Sequence, residues 1–377
     1  MRSMLRLPAA VLAALSIALA AVSASPQNWV EYPTHIELPP RDVAHPLDLL
    51  AASDGRVLLA WISGADGTGA LYTAVFQEAR WEKPTKVLEL RRPCDFVLFE
   101  LDSRPHLLEC GSGRQFFAAL EADAWKPLPY PLPAGAVQPA VAAGPGKSVS
   151  LVFIAGTRRV SRTPREGALH EVVGKAFLIT VPAEGRPGSP LALDPTSQSR
   201  AAHPVVAVGP GGAIHVLVER SYGPAAKPNI GHIDAKKPGS VLRTSRQPGN
   251  HPALAALSER ELLALWNDRP GVVQSFHTGR AWDPPTVIVS DAADPHLHRG
   301  PGGRLHLTVF TTERSFYYLT RGARGWSTPI NFGPAAGAGR AVEAPDGTVH
   351  LIWEHGGTFH HRAARPPEDK APGADGG

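Results

Sequence analysis

Three His-Pro pairs recur along the chain and are its clearest candidates for chemistry. His45, His203 and His251 each stand directly before a proline that begins an apolar segment, and Gln138 and Asp294 hold the equivalent position in two other segments. Imidazole suits first-row metals such as Mn, Fe and Zn. We therefore expect a divalent metal to be held by His45, Gln138, His203 and His251. The alternative is a turn residue that recurs because the segment was duplicated.

Charged residues form a second candidate set. Arg158 and Arg159 lie in the longest connection between two predicted strands, residues 155–175, and Arg200 precedes an apolar segment. Guanidinium groups pair with carboxylates and sulfates through two parallel hydrogen bonds, so these arginines favour an anionic sugar as ligand. A solvated basic loop is the alternative. The acidic side chains expected on the same face, as acid/base groups or as salt-bridge partners, are Glu219, Asp268 and Glu354.

The elements that must position these residues repeat along the chain. A first apolar segment, a turn and a second apolar segment recur from residues 46, 139, 204, 252, 295 and 339. The intervals are 93, 65, 48, 43 and 44 residues, and the first spans two repeats because the segment from Cys94 to Cys110 is a further copy. This spacing is typical of four-stranded propeller blades. The repeats therefore predict an all-β fold, a seven-bladed β-propeller of four-stranded blades.

The last repeat lacks the fourth strand, with its Trp and nearby Pro, that several other repeats supply. The segment Trp29 to Pro33 has both features. We expect this N-terminal strand to pair into the last blade and close the ring, because closure removes an open sheet edge. The expected organisation is a signal peptide over residues 1–24, one propeller domain over 25–364 and a disordered tail over 365–377.

Two other repeated positions favour structural roles. The tryptophans fall on the second and outer strands of the repeats, which predicts packing between blades. A histidine also recurs early in the second strand, where we expect a hydrogen-bonding position between blades. These histidines are His106, His215, His306 and His350.

The repeats also carry a family resemblance. Units of the form Asp-Gly-x-Val-His-Leu-x-Trp, as at Asp346 to Trp353, are followed by an aromatic third strand and, in other repeats, by Trp-x-x-Pro. They resemble the propellers of the sialidase-like, bacterial-neuraminidase-repeat (BNR-like) superfamily. The resemblance implies a propeller over almost the whole mature chain. It also implies a fold that serves hydrolases, lyases, lectins and scaffolding proteins.

Cys94 and Cys110 stand at the two ends of one predicted hairpin. A register centred on residue 102 places them opposite each other, at the separation that a disulfide requires. We expect a disulfide between them, with two buried free thiols as the alternative. Two cysteines exclude a disulfide-rich scaffold and a four-cysteine zinc site.

The N-terminus predicts export. Arg2 and Arg6 precede an Ala/Leu-rich stretch that ends in the small residues Val22-Ser23-Ala24, as in a secretory signal. We expect a secreted or periplasmic protein, cleaved near Ala24, monomeric and with no membrane span in the mature chain. The net charge of +4 comes without a dense Lys/Arg stripe, which argues against nucleic-acid binding.

These patterns favour a binding propeller that recognises a glycan or protein ligand, anionic in character, at the mouth of its channel. The alternative is a carbohydrate-active enzyme: a polysaccharide lyase that acts on uronate-containing chains, or a sialidase-like glycoside hydrolase. In a lyase, His and Arg side chains neutralise the substrate carboxylate and abstract a neighbouring proton. No phosphate loop, dinucleotide fingerprint or Ser-His-Asp elbow is present. The sequence alone leaves both functions open.

Overall fold

A computed structural model describes residues 28–38, 46–64, 69–90, 94–111, 115–144, 146–162, 169–194, 200–221, 227–245, 248–323, 325–337 and 339–365, with the side chains of 157–162 and 169–172 excepted. The predicted signal peptide, His45 and residues 366–377 of the predicted tail lie outside these ranges. All elements in the described ranges are β-strands. No helix there has the length and hydropathy needed to cross a membrane.

The strands form antiparallel meanders that follow each other in chain order. After β1 (Val30–Tyr32), unit 1 contains β2 (Leu47–Ala51), β3 (Val57–Ser63), β4 (Gly69–Gln77), β5 (Arg80–Trp81) and β6 (Thr85–Leu90). Unit 2 contains β7 (Asp95–Leu101), β8 (Arg104–Cys110), β9 (Phe117–Glu121) and β10 (Ala124–Pro127). Unit 3 contains β11 (Val137–Ala143), β12 (Ser148–Arg162), β13 (Leu169–Pro182) and β14 (Leu191–Ala192).

The second half of the chain continues the pattern. Unit 4 contains β15 (Arg200–Val208), β16 (Ile214–Ser221), β17 (Asn229–Asp234) and β18 (Val241–Arg243). Unit 5 contains β19 (Asn250–Ala256), β20 (Leu262–Asp268), β21 (Gly271–His277) and β22 (Thr286–Ser290). Unit 6 contains β23 (Ala292–Arg299), β24 (Leu305–Thr311), β25 (Ser315–Gly322), β26 (Gly325–Trp326) and β27 (Ile330–Pro334). Unit 7 contains β28 (Arg340–Glu343), β29 (Val349–His355) and β30 (Thr358–Ala364). One backbone pair, Gly174 with Ala201, joins units 3 and 4 into a continuous sheet.

The first strands of the units make a closed circuit of contacts. Strands β2, β7, β11, β15, β19, β23 and β28 contact one another in this order, and β28 contacts β2. The N-terminal strand completes unit 7, because β1 pairs with β30 in the register Val30 to Ala363. The predicted pairing of the N-terminal strand with the last strand is therefore confirmed.

The core lies between neighbouring units. The second strands are apolar almost throughout, as in β3, where all seven residues are buried. One cluster joins Phe99 and Leu108 of unit 2 to Leu151 and Phe153 of unit 3. A strand that is covered on both faces has apolar residues at consecutive positions, because neither face contacts water. Each fully buried side chain of this size contributes about 1.5–3 kcal/mol.

Outer tryptophans pack between units, as predicted, and two of them also donate a hydrogen bond to the preceding unit. Trp125 donates a hydrogen bond from Nε1 to Thr73 Oγ1 of unit 1, at 3.0 Å. Trp326 donates likewise to Gln274 Oε1 of unit 5, at 2.8 Å. In these two residues the indole supplies apolar area and satisfies its one donor across the interface.

The second-strand histidines are hydrogen-bonded within the core. His306 contacts the Tyr318 hydroxyl through Nδ1 and Glu343 Oε2 of unit 7 through Nε2, each at 2.8 Å. His350 Nδ1 lies 3.0 Å from His361 Nε2. The predicted hydrogen bond between units is confirmed for His306, whereas the bond of His350 stays within its own unit.

The predicted cysteine pairing is wrong in its register. Strands β7 and β8 pair Asp95 with Cys110 and Leu101 with Arg104. The turn between them has two residues, Asp102 and Ser103, both with positive φ, which is the geometry of a tight two-residue hairpin turn. A two-residue turn moves the centre of the hairpin between these residues instead of onto residue 102. Cys94 and Cys110 are both buried free thiols in this structure.

Candidate functional site

A cavity of about 700 Å³ opens where the first strands begin. Every first strand contributes at least one residue to its lining. Proline rings, Phe96 and Phe310 form its apolar walls. Its polar side chains are Asp95, Gln138, His203, His251, Asp294, His296 and Arg340. A concave site of this size, with apolar walls and a few polar groups, is typical of small-molecule binding sites.

Backbone geometry places four of these side chains at equivalent positions. Gln138, His203, His251 and Asp294 each precede a proline, and each has a φ between 44° and 51°. At each of these positions the strand register shifts, as in a β-bulge. Left-handed φ values cost a non-glycine residue about 1–3 kcal/mol and cluster at binding and catalytic sites. A bulge also redirects a side chain, so the X-Pro repeat is a positioning device.

Side chains at this level bind the backbone of the next unit. Asp95 Oδ2 accepts a hydrogen bond from the Gln138 amide, and Gln138 Oε1 accepts one from the His203 amide, both at 3.0 Å. Asn267 Oδ1 accepts a hydrogen bond from the Asp294 amide at 2.9 Å. We call Asp95, Gln138, His203, His251 and Asp294 the mouth residues. These bonds fix the spacing of neighbouring mouth residues.

The two mouth histidines, His203 and His251, each pair with a carboxylate and face each other. His203 Nδ1 lies 3.0 Å from Glu219 Oε2, and His251 Nδ1 lies 2.7 Å from Asp294 Oδ1. The two imidazole rings are in edge-to-face contact with centroids 4.5 Å apart. Carboxylates on Nδ1 orient both rings and leave Nε2 as the nitrogen available to a ligand. Such pairs bind hydroxyl groups or transfer protons.

The two lining carboxyl groups have opposite electrostatic environments. Burial raises the pKa of Asp95, and the Gln138 amide and the nearby His203 only partly offset this effect. The hydrogen bond from His251 lowers the pKa of Asp294, so this carboxylate keeps its charge further into the acid range. The mouth therefore combines a carboxylate that stays ionised with a carboxyl group that takes up a proton more readily.

A second level, which we call the inner level, lies two residues beyond the mouth residues on their strands. The strand registers place seven residues at equivalent positions: Asp48, Val97, Ala140, Val205, Ala253, His296 and Arg340. Four of these side chains are small and apolar. The other three, from the adjacent strands β23, β28 and β2, are His296, Arg340 and Asp48. One sector of the inner level is therefore polar, and the rest is apolar.

The predicted residues fall into three groups. Gln138, His203 and His251 meet in the cavity, and Glu219 reaches it through His203. Arg200, Asp268 and Glu354 are not among the lining residues, and the latter two accept hydrogen bonds from the nearby backbone amides of Arg269 and Gly357. The backbones of Arg158 and Arg159 belong to the long β12–β13 hairpin, paired with Val173 and Val172, and their side chains lie outside the description.

The predicted metal set is only partly covered by the structure. Within the described ranges, no group of three or more His, Cys, Asp or Glu residues is arranged to hold a metal ion. His203 and His251 direct Nδ1 to carboxylates. His45, the third imidazole of the set, lies outside those ranges. The metal site therefore stays a prediction.

The sequence patterns did not predict the polar inner level. Arg340 and His296 occupy a position that holds Ala or Val in four other units and Asp48 in unit 1, so no recurring residue marks it. The signal was the exception to the pattern: an arginine and a histidine where the aligned repeats carry small side chains. Asp95 was missed because its segment has no proline at the following position.

No protein-family model matches this sequence, and no curated protein matches it significantly. Solved structures do match its fold. A polysaccharide lyase described as a PL25 ulvan lyase has a TM-score of 0.55 at 9% identity, covering 89% of this chain and 95% of that chain. An α-L-arabinanase from Penicillium chrysogenum, solved with arabinobiose, has a TM-score of 0.52 at 12% identity, covering 77% of this chain and 94% of that chain.

A fungal lectin from Aleuria aurantia, described as a six-bladed β-propeller, also matches, at a lower score. Its TM-score is 0.45 at 12% identity, with 77% of this chain and 96% of that chain covered. At these identities the likenesses concern the fold alone, and the resemblance to the sialidase-like superfamily stays a prediction. The described part of the chain is all-β, and the lyase and arabinanase matches, both with a TM-score above 0.5, are with glycan-active proteins.

Proposed function

We propose that this protein is an exported seven-bladed β-propeller that binds a glycan in the cavity bounded by its mouth residues. The observation that carries the proposal is the set of X-Pro bulges, which turn Gln138, His203, His251 and Asp294 onto one cavity. Units 1 to 7 are then its blades, and the closed circuit of first strands supports this number. Export rests on the signal-like sequence of residues 1–24.

A saccharide is a better fit to this cavity than a protein ligand is. The site is concave, and a volume of about 700 Å³ falls within the usual range for small-molecule sites. Sugar rings present hydroxyl groups around an apolar C–H face. The mouth residues offer carboxylate, amide and imidazole partners for the hydroxyl groups, and the proline rings, Phe96 and Phe310 offer surfaces for the C–H face.

Binding to an immobilised panel of neutral and acidic oligosaccharides, followed by calorimetric titration of each hit, tests this function. His203→Ala should lower affinity at least about tenfold, since it removes a hydrogen-bonding group from the cavity wall. Asp268→Asn is the matched control, because Asp268 is near the end of β20 but does not line the cavity. Hits that bind wild type and the His203 variant equally would contradict the proposed site.

One observation favours a second candidate function, acid/base catalysis on a glycan. The carboxylate of Glu219 is only 3% exposed and holds His203, whose side chain is 34% exposed. A buried carboxylate that orients an accessible imidazole is the arrangement of a general base. In a lyase, His203 would take the proton next to a uronate carboxylate. Incubation with uronate polysaccharides, followed by absorbance of the unsaturated product, tests this candidate; turnover that survives His203→Ala would assign the chemistry elsewhere.

A further inference from the structure

Arg340 lines the cavity and, among the residues that the structure describes, has no carboxylate at salt-bridge distance. Its Nη1 donates a hydrogen bond to the Gly339 carbonyl, at 3.3 Å. Among the described residues its Nε is buried without a partner, and no carboxylate lies within 4.0 Å of the guanidinium. Arg340 itself is half-buried on the cavity lining, and the buried Nε–H lacks the hydrogen bond that would offset its removal from water, a bond that an acceptor group of a ligand can supply.

The two nearest carboxylates are already engaged elsewhere. Asp48 accepts hydrogen bonds from the amides of Leu49 and Leu98, at 2.9 and 2.8 Å. Asp294 binds His251 at 2.7 Å. Both act on Arg340 electrostatically without pairing with it. They therefore reduce the local positive potential but leave the guanidinium donors free for a ligand.

His296 lies beside Arg340 in the same polar sector and is also incompletely bonded. Its Nδ1 is buried with no partner among the described residues. Burial, together with the charge of Arg340, holds the pKa of His296 well below its usual range. The ring is therefore neutral, with one N–H donor and one acceptor, and adds a hydrogen bond beside Arg340 without adding charge.

We infer that Arg340 and His296 form a carboxylate anchor at the floor of the cavity, which selects glycans that carry a uronate-type sugar. The inference rests on the proposed glycan binding and adds the chemical class of the ligand. The planar guanidinium fork matches a carboxylate through two parallel hydrogen bonds. The apolar remainder of the inner level, with Val97, Ala140, Val205 and Ala253, confines the anchor to one side. A bound chain is therefore oriented with its carboxylate toward β23 and β28.

Nuclear magnetic resonance of protein labelled with ¹⁵N-arginine tests the anchor, with acetate, glucuronate and glucose as probes. Glucuronate differs from glucose by a carboxylate in place of the C6 hydroxymethyl group, and acetate supplies the carboxylate without a sugar. The Arg340 Nε–H signal, assigned with Arg340→Lys, should shift saturably with acetate and glucuronate and stay in place with glucose. Arg200→Gln is the control, because Arg200 also lies on a first strand but does not line the cavity.

Affinity measurements on the same probes complete the test. Glucuronate should bind wild type at least tenfold more tightly than glucose, and Arg340→Gln should remove this preference. If both sugars bind equally well and the Arg340 signal does not move, the anchor is wrong and glycan binding stands. If acetate moves the signal but neither sugar binds better than acetate, the anchor stands and glycan binding is contradicted. If no probe moves the signal, the anchor is wrong whatever the variants do.

Discussion

His203 Nδ1 lies 3.0 Å from Glu219 Oε2, with Glu219 buried behind the imidazole and His203 on the cavity wall. The two residues come from neighbouring strands of unit 4: His203 lies within the bulge of β15, and Glu219 of β16 pairs with Ala202 beside it. The contact couples the strained backbone at His203 to a fixed carboxylate. It therefore holds one of the groups most exposed to a ligand in a single orientation.

Glu219→Ala should weaken both the fold and the site. A hydrogen bond to a charged group contributes about 1.5–3 kcal/mol, so urea denaturation should show a loss of this size. Glycan affinity should fall as well, because His203 loses the group that orients it. Glu219→Gln keeps a hydrogen-bonding oxygen and should recover most of the stability. A free energy of unfolding unchanged in Glu219→Ala would show that the pair does not form in solution.

Deletion of residues 25–38 should destabilise the whole ring. The segment contributes the buried Ile36 and Leu38, and Thr34 Oγ1 donates a hydrogen bond to the Phe359 carbonyl at 2.7 Å. Loss of the apolar contacts alone removes about 3–6 kcal/mol, and β30 is left with an unpaired edge. Thermal unfolding and size-exclusion chromatography should show a lower Tm and self-association. A truncated protein that stays monomeric with its Tm intact would contradict the closure.

Buried neutral histidines should make the fold sensitive to acid. Burial lowers the pKa of His298 to about 4 and that of His232 to about 3, from ordinary values of 6.5. The unfolded chain takes up these protons as the pH falls through 6.5, whereas the folded chain does not. Stability is therefore complete above pH 6.5 and is lost below it, by about 1.4 kcal/mol per pH unit for each histidine.

A single substitution isolates one such contribution. Between pH 6.5 and 4.5 the free energy of unfolding should fall less in His298→Gln than in wild type. The difference should equal the contribution of one histidine, and urea denaturation at each pH measures it. His355→Gln is a suitable control, since His355 is exposed at the end of β29. An equal pH dependence in wild type and His298→Gln would mean that His298 titrates alike in the folded and unfolded chain.

Cys94 and Cys110 should remain thiols that do not react in the native protein. Burial raises the pKa of both groups, which keeps them protonated at neutral pH and therefore weakly nucleophilic. Iodoacetamide should modify both after denaturation and neither before it. An intact mass two hydrogens lower, reversed by reductant, would instead restore the disulfide expected from the sequence.

The sequence predicts the architecture well because the same pattern of strands and turns recurs in every repeat. The turn at Asp346 and Gly347 and the strand ending in Trp353 have counterparts in other units, so an error in one unit is corrected by the rest. Pairing details depend on single turns: the two-residue turn at Asp102 and Ser103 moved Cys110 opposite Asp95. Repetition also conceals exceptions, and Arg340 was not predicted as a site residue because four of the six equivalent positions hold small apolar side chains.

Hydrogen–deuterium exchange with a bound oligosaccharide tests the proposed site most directly. Protection on ligand addition should concentrate at the beginnings of β11, β15, β19 and β23, around Gln138, His203, His251 and Asp294. The outer strands β14, β18 and β22 should exchange as they do in the free protein. Protection confined to the outer strands, with the mouth residues unchanged, would contradict glycan binding in this cavity.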